Sequence, residues 1–129
     1  MAQTAWAHLP NAKHIDWVIA SIKVNPEKWD TVRTAEWKSA WYTAFDIVSG
    51  KEAWNEAWYT IWGTTWDPSR DNGRNAACGS TAGLITYDDC AYMIESDIDE
   101  IKILAKLGDQ KAILLLPACI VFNETKALV

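Results

Sequence analysis

Apolar residues recur at helical intervals along most of the chain, and no stretch alternates with a period of two. Ile15, Val18, Ile19 and Ile22 share one face behind Asn11, a residue suited to capping, and predict a helix from Ala12 to Val24. Asn25-Pro26 restarts the chain, because proline lacks an N–H that the first turn leaves unbonded anyway. A second helix then runs to Val48 through Trp29, Val32, Trp37, Trp41 and Phe45. Gly50 suits a left-handed helix end, and Ser49 with Glu52 has the spacing of a capping box that opens a third helix. That helix carries Trp54, Trp58, Trp62 and Trp66. Asp67-Pro68 marks a joint where a kink or a fresh helix begins, and the period of four that survives across it fits a continued, bent helix.

From Ser69 to Gly83 the residues become small. Each glycine there costs a helix about 1 kcal/mol against alanine, so the expected helix has its weakest point at Gly79-Ser80. Leu84, Ile85, Tyr87, Cys90, Ala91, Met93 and Ile94 resume a helical core pattern. Ser96 is the expected cap of a helix with Ile98, Ile101, Leu104 and Ala105 on its face, ended by Gly108. Asp109 opens a final helix, apolar nearly all round from Ala112 to Phe122 and therefore buried, with a kink at Pro117 and a frayed tail from Asn123 to Val129. The expectation is a single all-α domain of about six helices spanning residues 1–129.

One ridge dominates this pattern. Trp37, Trp41 and Phe45, then Trp54, Trp58, Trp62 and Trp66, stand four apart, and the second row continues as Arg70, Arg74 and Cys78. Such positions are neighbours on a helix, each rotated about 40° from the last. There is also a near-repeat: Trp37-Lys-Ser-Ala-Trp41-Tyr42-Thr43 matches Trp54-Asn-Glu-Ala-Trp58-Tyr59-Thr60 at an offset of seventeen. Two copies are too few for a solenoid, so they read as two antiparallel helices with similar faces, crossing at about −50°.

Composition narrows the field. The 129 residues are 50% hydrophobic and 22% charged, with a net charge of −5. That excludes a general nucleic-acid binder, which needs a dominant basic field. Three cysteines, an odd number without paired spacing, predict reduced thiols rather than a disulfide framework. Residues 1–6 have no signal-peptide character, and the longest apolar run is too short to span a bilayer, so a soluble cytoplasmic protein without membrane association is expected.

The segment Gly83-Leu-Ile-Thr-Tyr87-Asp88-Asp89-Cys90-Ala-Tyr-Met, followed by Leu104-Ala-Lys-Leu-Gly108-Asp-Gln-Lys-Ala-Ile-Leu-Leu-Leu-Pro117-Ala, resembles a group of small Ala- and Trp-rich helical proteins of bacteriophages and bacteria. The likeness covers Trp37 to Phe122 and is specific in its tail motif, whereas the tryptophan repeat is compositional. It implies a phage-like origin, hence the host cytoplasm, and an all-α fold, with no activity attached. This chain has fewer alanines and more glycines between Gly73 and Gly83 than the group's pattern.

Aromatics at helical spacing are ordinarily core, but nine tryptophans exceed what a small core holds. Trp62 and Trp66, next to Arg70 and Arg74, are the candidate binding residues: indoles stack on bases and guanidinium forks bind phosphate. The competing role for the arginines is ion pairing with Asp71, Asp88 or Asp89. Asp88 and Asp89, one residue apart, serve different surroundings, one of them reading a polar ligand edge. The leading reading is a non-enzymatic protein that sequesters a small nucleotide-type signal as an anti-defence sponge. The alternatives are an inhibitor that docks on a host enzyme through tryptophan anchors and an acidic surface, and a magnesium-dependent nucleotide hydrolase using Glu52 and Glu56 with the aspartates. No cofactor is expected. His8, His14 and the cysteines lack zinc-ligand spacing. Surplus aromatic surface predicts a homo-oligomer.

Overall fold

The computed structural model describes residues 4–30, 37–64 and 71–126. They form α1 (Ala12–Val24), α2 (Pro26–Trp29), α3 (Trp37–Val48), α4 (Glu52–Thr64), α5 (Asp71–Thr86), a 3₁₀ turn (Ala91–Glu95), α6 (Ile98–Lys106) and α7 (Gln110–Lys126). No strand occurs among the described residues, and the fold is all-α.

Helix α5 is the axis on which the others pack. It touches α1, α2, α3, α4 and α7, and it is buried from Gly73 to Ile85 except at Asn75. Its inner residues are Ala76, Ala77, Cys78, Gly79, Ser80, Thr81, Ala82 and Gly83, so every side is thin. A Cβ on Gly83 would stand 2.8 Å from Leu115 Cδ2 and 3.3 Å from Leu114 Cβ, so α7 occupies the space a side chain would need. A Cβ on Gly73 would meet Asp30 Oδ1 at 2.5 Å, which puts an acid beside the first turn of α5, where the helix dipole favours it. The facing helices are trimmed to match. Helix α3 turns Ala40, Ala44 and Val48 inward and α4 turns Ala53, Ala57 and Ile61 inward, all buried.

The helix expected through the small residues is present, and it is unbroken at its weakest point, Gly79-Ser80, because burial on all sides outweighs the helix cost of its glycines. The long helix expected from Pro26 to Val48 stops at Trp29, with Asp30 in a turn. Helices α4 and α5 pack against each other, and the joint expected at Asp67-Pro68 lies outside the described residues. Lys51, not Ser49, precedes α4, since Asn55 N–H donates to the Lys51 carbonyl. Asp97 rather than Ser96 caps α6, its carboxylate accepting from Asp99 N–H, while the Ser96 hydroxyl turns back to the Tyr92 carbonyl. The final helix extends to Lys126, and Asn123 Nδ2 donates to the carbonyls of Cys119 and Ser96, so Asn123 to Lys126 is ordered helix.

Asn11 plays two parts. Its carbonyl accepts the first helical bond of α1, from Ile15 N–H, but its side chain does not cap α1. The buried amide Nδ2 instead donates to the carbonyls of Leu84 and Tyr87, both at 2.9 Å, at the C-terminal end of α5. There the last carbonyls of a helix have no partner of their own.

Three outcomes follow in urea denaturation. Gly83→Ala lowers stability by about 1–2 kcal/mol, because overpacking against Leu114 exceeds the gain in helix propensity. Gly63→Ala, where an added Cβ meets nothing within 4 Å, raises it by about 0.5–1 kcal/mol. Asn11→Asp replaces two N–H donors with a carboxylate facing helix carbonyls and costs about 1–3 kcal/mol, read as a lower midpoint at unchanged slope.

Candidate functional site

The aromatic ridge sits beside the alanine rows, one residue on, and therefore on the flank of each helix. A row of spacing four rotates as it climbs. On α4 this carries Trp54, 4% exposed, through half-buried Trp58 to Trp62, 38% exposed. On α3 it carries half-buried Trp41 to Phe45, also 38% exposed. The rings touch in two groups. Trp41 lies 5.4 Å from Phe45 and 5.6 Å from Trp54, and Trp58 lies 5.2 Å from Trp62 and 5.3 Å from Tyr59, all tilted or edge-on. The aromatic band thus has one part where α3 meets α4 and another farther along α4.

The band ends on a cation. Arg74, from α5, lays its guanidinium carbon 3.8 Å from the centre of the Trp62 ring and is itself buried. Its Nη2 donates to Asp71 Oδ1, three residues earlier on the same helix. Trp62 and Arg74 are thus brought together as the ridge suggested, but across two packed helices. The arginine is the one ion-paired with Asp71, and its charge is neutralised beside the ring. Trp66 and Arg70 lie outside the described residues.

Asp88 and Asp89 are elsewhere. They lie in the turn after α5, roughly 18 Å along that helix from Arg74 by its rise per residue, and both are exposed. Asp89 Oδ1 accepts from Lys111 Nζ at 2.8 Å, and this bond holds the Asp89 carboxyl below its ordinary value and the Lys111 ammonium above its own. The Lys111 ammonium also stands 5.5 Å from the Tyr87 ring centre, and burial raises the Tyr87 phenol. The two aspartates therefore do serve different surroundings, but neither reaches the aromatic band.

Glu56, one half of the suggested carboxylate pair, accepts from Ala5 N–H at 2.8 Å and ties down the N-terminal arm, whose Trp6 is buried with its indole N–H on Asp16. His14 faces Glu95 at 3.6 Å, and His8 is exposed. No three His, Cys, Asp or Glu side chains converge to hold a metal ion among the described residues. All three cysteines are buried thiols outside any disulfide. Burial pushes Cys78 up to about 12, against the opposing pull of Arg74, and pushes Cys90 up to about 12 as well.

Sequence reasoning missed a shallow groove between α1 and α7. Two cavities, of about 390 and 260 Å³, lie on either side of Trp17 and Phe122, whose rings meet edge-on at 5.5 Å. Trp17 stands outside the ridge of spacing four, and Phe122 sits in a run apolar on every side, so nothing in the pattern singled them out. Another cavity, of about 370 Å³, lies under the N-terminal arm against Lys51 and Ile85. Among the described residues no helix is long and apolar enough to cross a membrane.

No protein-family model, curated protein or solved structure matches this chain.

The thiols give a direct check on this geometry. At mildly alkaline pH, Ellman's reagent should titrate fewer than one cysteine per folded chain and all three after denaturation, because the reactive thiolate is scarce in buried sites.

Proposed function

We propose that this chain is a non-enzymatic binding protein and that its recognition surface is the aromatic band of α3 and α4, engaging a protein partner. The observation that carries this reading is the exposure of the band's outer rings. Tyr42 is 57% and Tyr59 71% exposed, flanking Phe45 and Trp62. Their open area is roughly 400 Å², from about 150–250 Å² for a fully buried large aromatic. Apolar patches of that size on a monomer are often functional, and tryptophan and tyrosine are typical interface anchors. The three cavities described above are lined by other residues.

A second reading, sequestration of a nucleotide-type ligand by a phage-derived protein, draws on one observation, the Trp62–Arg74 stack. Against it stand the burial of Arg74, its pairing with Asp71, and the distance of Asp88 and Asp89. Hydrolysis draws on less, since Glu56 is occupied by the backbone of the arm.

One set of measurements separates the three. Native affinity isolation from a bacterial host should retain a stoichiometric protein on the wild-type chain and lose it on the Tyr42→Ser/Phe45→Ser/Tyr59→Ser variant. Cyclic and linear nucleotides, with or without Mg²⁺, should leave the melting temperature unchanged. A nucleotide that raises it by several degrees and is recovered intact after denaturation selects sequestration; tight binding adds a few kcal/mol of stability. Conversion of that nucleotide only when Mg²⁺ is present selects hydrolysis. Equal protein capture by wild type and variant overturns the proposed surface.

A further inference from the structure

Trp17, Ser21 and Asn25 stand four apart on α1 and its C-terminal cap, so they form one ridge. Phe122 and Thr125, three apart, share a face of α7. Both helices pack on α5, and the Trp17 and Phe122 rings bridge the gap between them edge-on at 5.5 Å. The cavity of about 390 Å³ therefore has aromatic rings at one end and Ser21, Asn25 and Thr125 at the other. No residue lining it is charged.

The polar end holds hydrogen-bonding capacity that the fold does not use. Ser21 is 6% exposed, and its hydroxyl oxygen accepts from the Trp29 indole N–H at 3.0 Å. An indole N–H only donates, so the Ser21 proton is left to be given elsewhere. Thr43, Thr60 and Thr125 each donate to a carbonyl four residues back. Ser21 makes no such bond, and its hydroxyl meets no acceptor among the described residues. The Asn25 side chain makes no cap bond to α2. A buried donor without an acceptor is costly, and in a native structure it calls for a partner. Trp29 is fully buried and its ring lies 6.2 Å from Trp17, so the core holds the Ser21 hydroxyl in place before anything binds.

We infer that this cavity binds a small, neutral, flat molecule bearing one carbonyl-type acceptor. Its ring lies against Trp17 and Phe122, and its acceptor takes the Ser21 proton with the Asn25 amide alongside. The site is separate from the aromatic band of α3 and α4 and does not depend on the reading of that band. Neutrality follows from the uncharged lining, because a carboxylate or an ammonium would lose its hydration with no opposite charge to meet. Flatness follows from the ring pair, which offers a face and an edge to a further ring. The size follows from the volume, which holds roughly a dozen water-sized groups at about 30 Å³ each. Apolar and aromatic walls with a few convergent polar groups are the usual make-up of a small-molecule site.

The probes are 1-indanone, a flat ketone of this size, and indane, the same skeleton without the carbonyl. Titrated into the isotope-labelled chain, 1-indanone should shift the indole N–H resonances of Trp17 and Trp29 saturably and leave that of Trp62 in place. It should bind about fivefold more tightly than indane, the worth of one hydrogen bond. In Ser21→Ala that preference should largely vanish while indane binds as before. Both probes are compared on one protein, so a general loosening of the core cancels. Asn25→Ala leaves the Trp29 bond intact and should also reduce the preference, which keeps the test decisive if Ser21→Ala fails to fold. Absence of a saturable shift at Trp17 and Trp29 overturns the inference. So does equal affinity of the wild type for the two probes, or a preference that survives in both variants. Shifts confined to Trp62 would place the probe on the aromatic band and overturn it as well.

Discussion

The structure depends on how closely other helices approach α5. A helix lined by alanine, glycine, serine and cysteine has no bulky side chains to fill space, so it gains burial only if its neighbours come in to its backbone. They do: Leu114 and Leu115 of α7 take the place of a side chain at Gly83, and Asp30 takes the place of one at Gly73. The alanine rows of α3 and α4 follow from the same requirement, since a leucine row would hold those helices off. Close approach also recruits polar contacts. The Ser80 hydroxyl donates to the Leu114 carbonyl at 2.8 Å, inside the core. That bond falls next to the Ile113 carbonyl, which Pro117 deprives of its helical donor.

Once small residues fill the inner faces, the large rings have to go to the flanks. The tryptophans divide by how their indole N–H is met. Trp29 is fully buried and donates to the Ser21 hydroxyl, and Trp6 donates to Asp16. Those two close the core at the α1 side. The band tryptophans cover the seam between α3 and α4, which are joined through rings more than through close backbone packing. Small residues on the inner faces of α3, α4 and α5 thus set the outer rings of α3 and α4 on the flanks, while Trp6, Trp29 and Trp54 stay in the core.

The periodic parts of this architecture were legible from residues alone, α1 to the residue and the boundary at Gly108 with its left-handed backbone among them. What was not legible was burial without hydrophobicity. Periodicity analysis looks for an apolar stripe, and α5 has none; it is buried because it is thin, which only its neighbours reveal. The same blindness hid the role of Asn11, whose position reads as an N-cap while its side chain caps a different helix seventy residues away in the chain. Of the site, the pairing of Trp62 with Arg74 was anticipated by spacing, although the spacing argument assumed one continuous ridge and the contact is made between packed helices. The aspartates were drawn into the site by their chemistry alone, with no register to bind them to it.

Their true setting explains the most specific part of the sequence. Tyr87-Asp-Asp-Cys90 and Leu114-Leu-Leu-Pro117 lie on the two sides of one joint between α5 and α7. The Cys90 thiol reaches the Gly83 carbonyl, Tyr87 donates to Gln110, Asp89 accepts from Lys111, and Ser80 bonds Leu114. Together they lock the end of α5 to the start of α7, where Asn11 completes the cap. A motif of aspartates and cysteine invites a catalytic reading, yet the thiol is buried and strongly protonated and the acid is paired at the surface. Its residues are those needed to fasten two helices that approach too closely for side-chain interdigitation alone to hold them. The specificity of the motif is therefore a property of the fold.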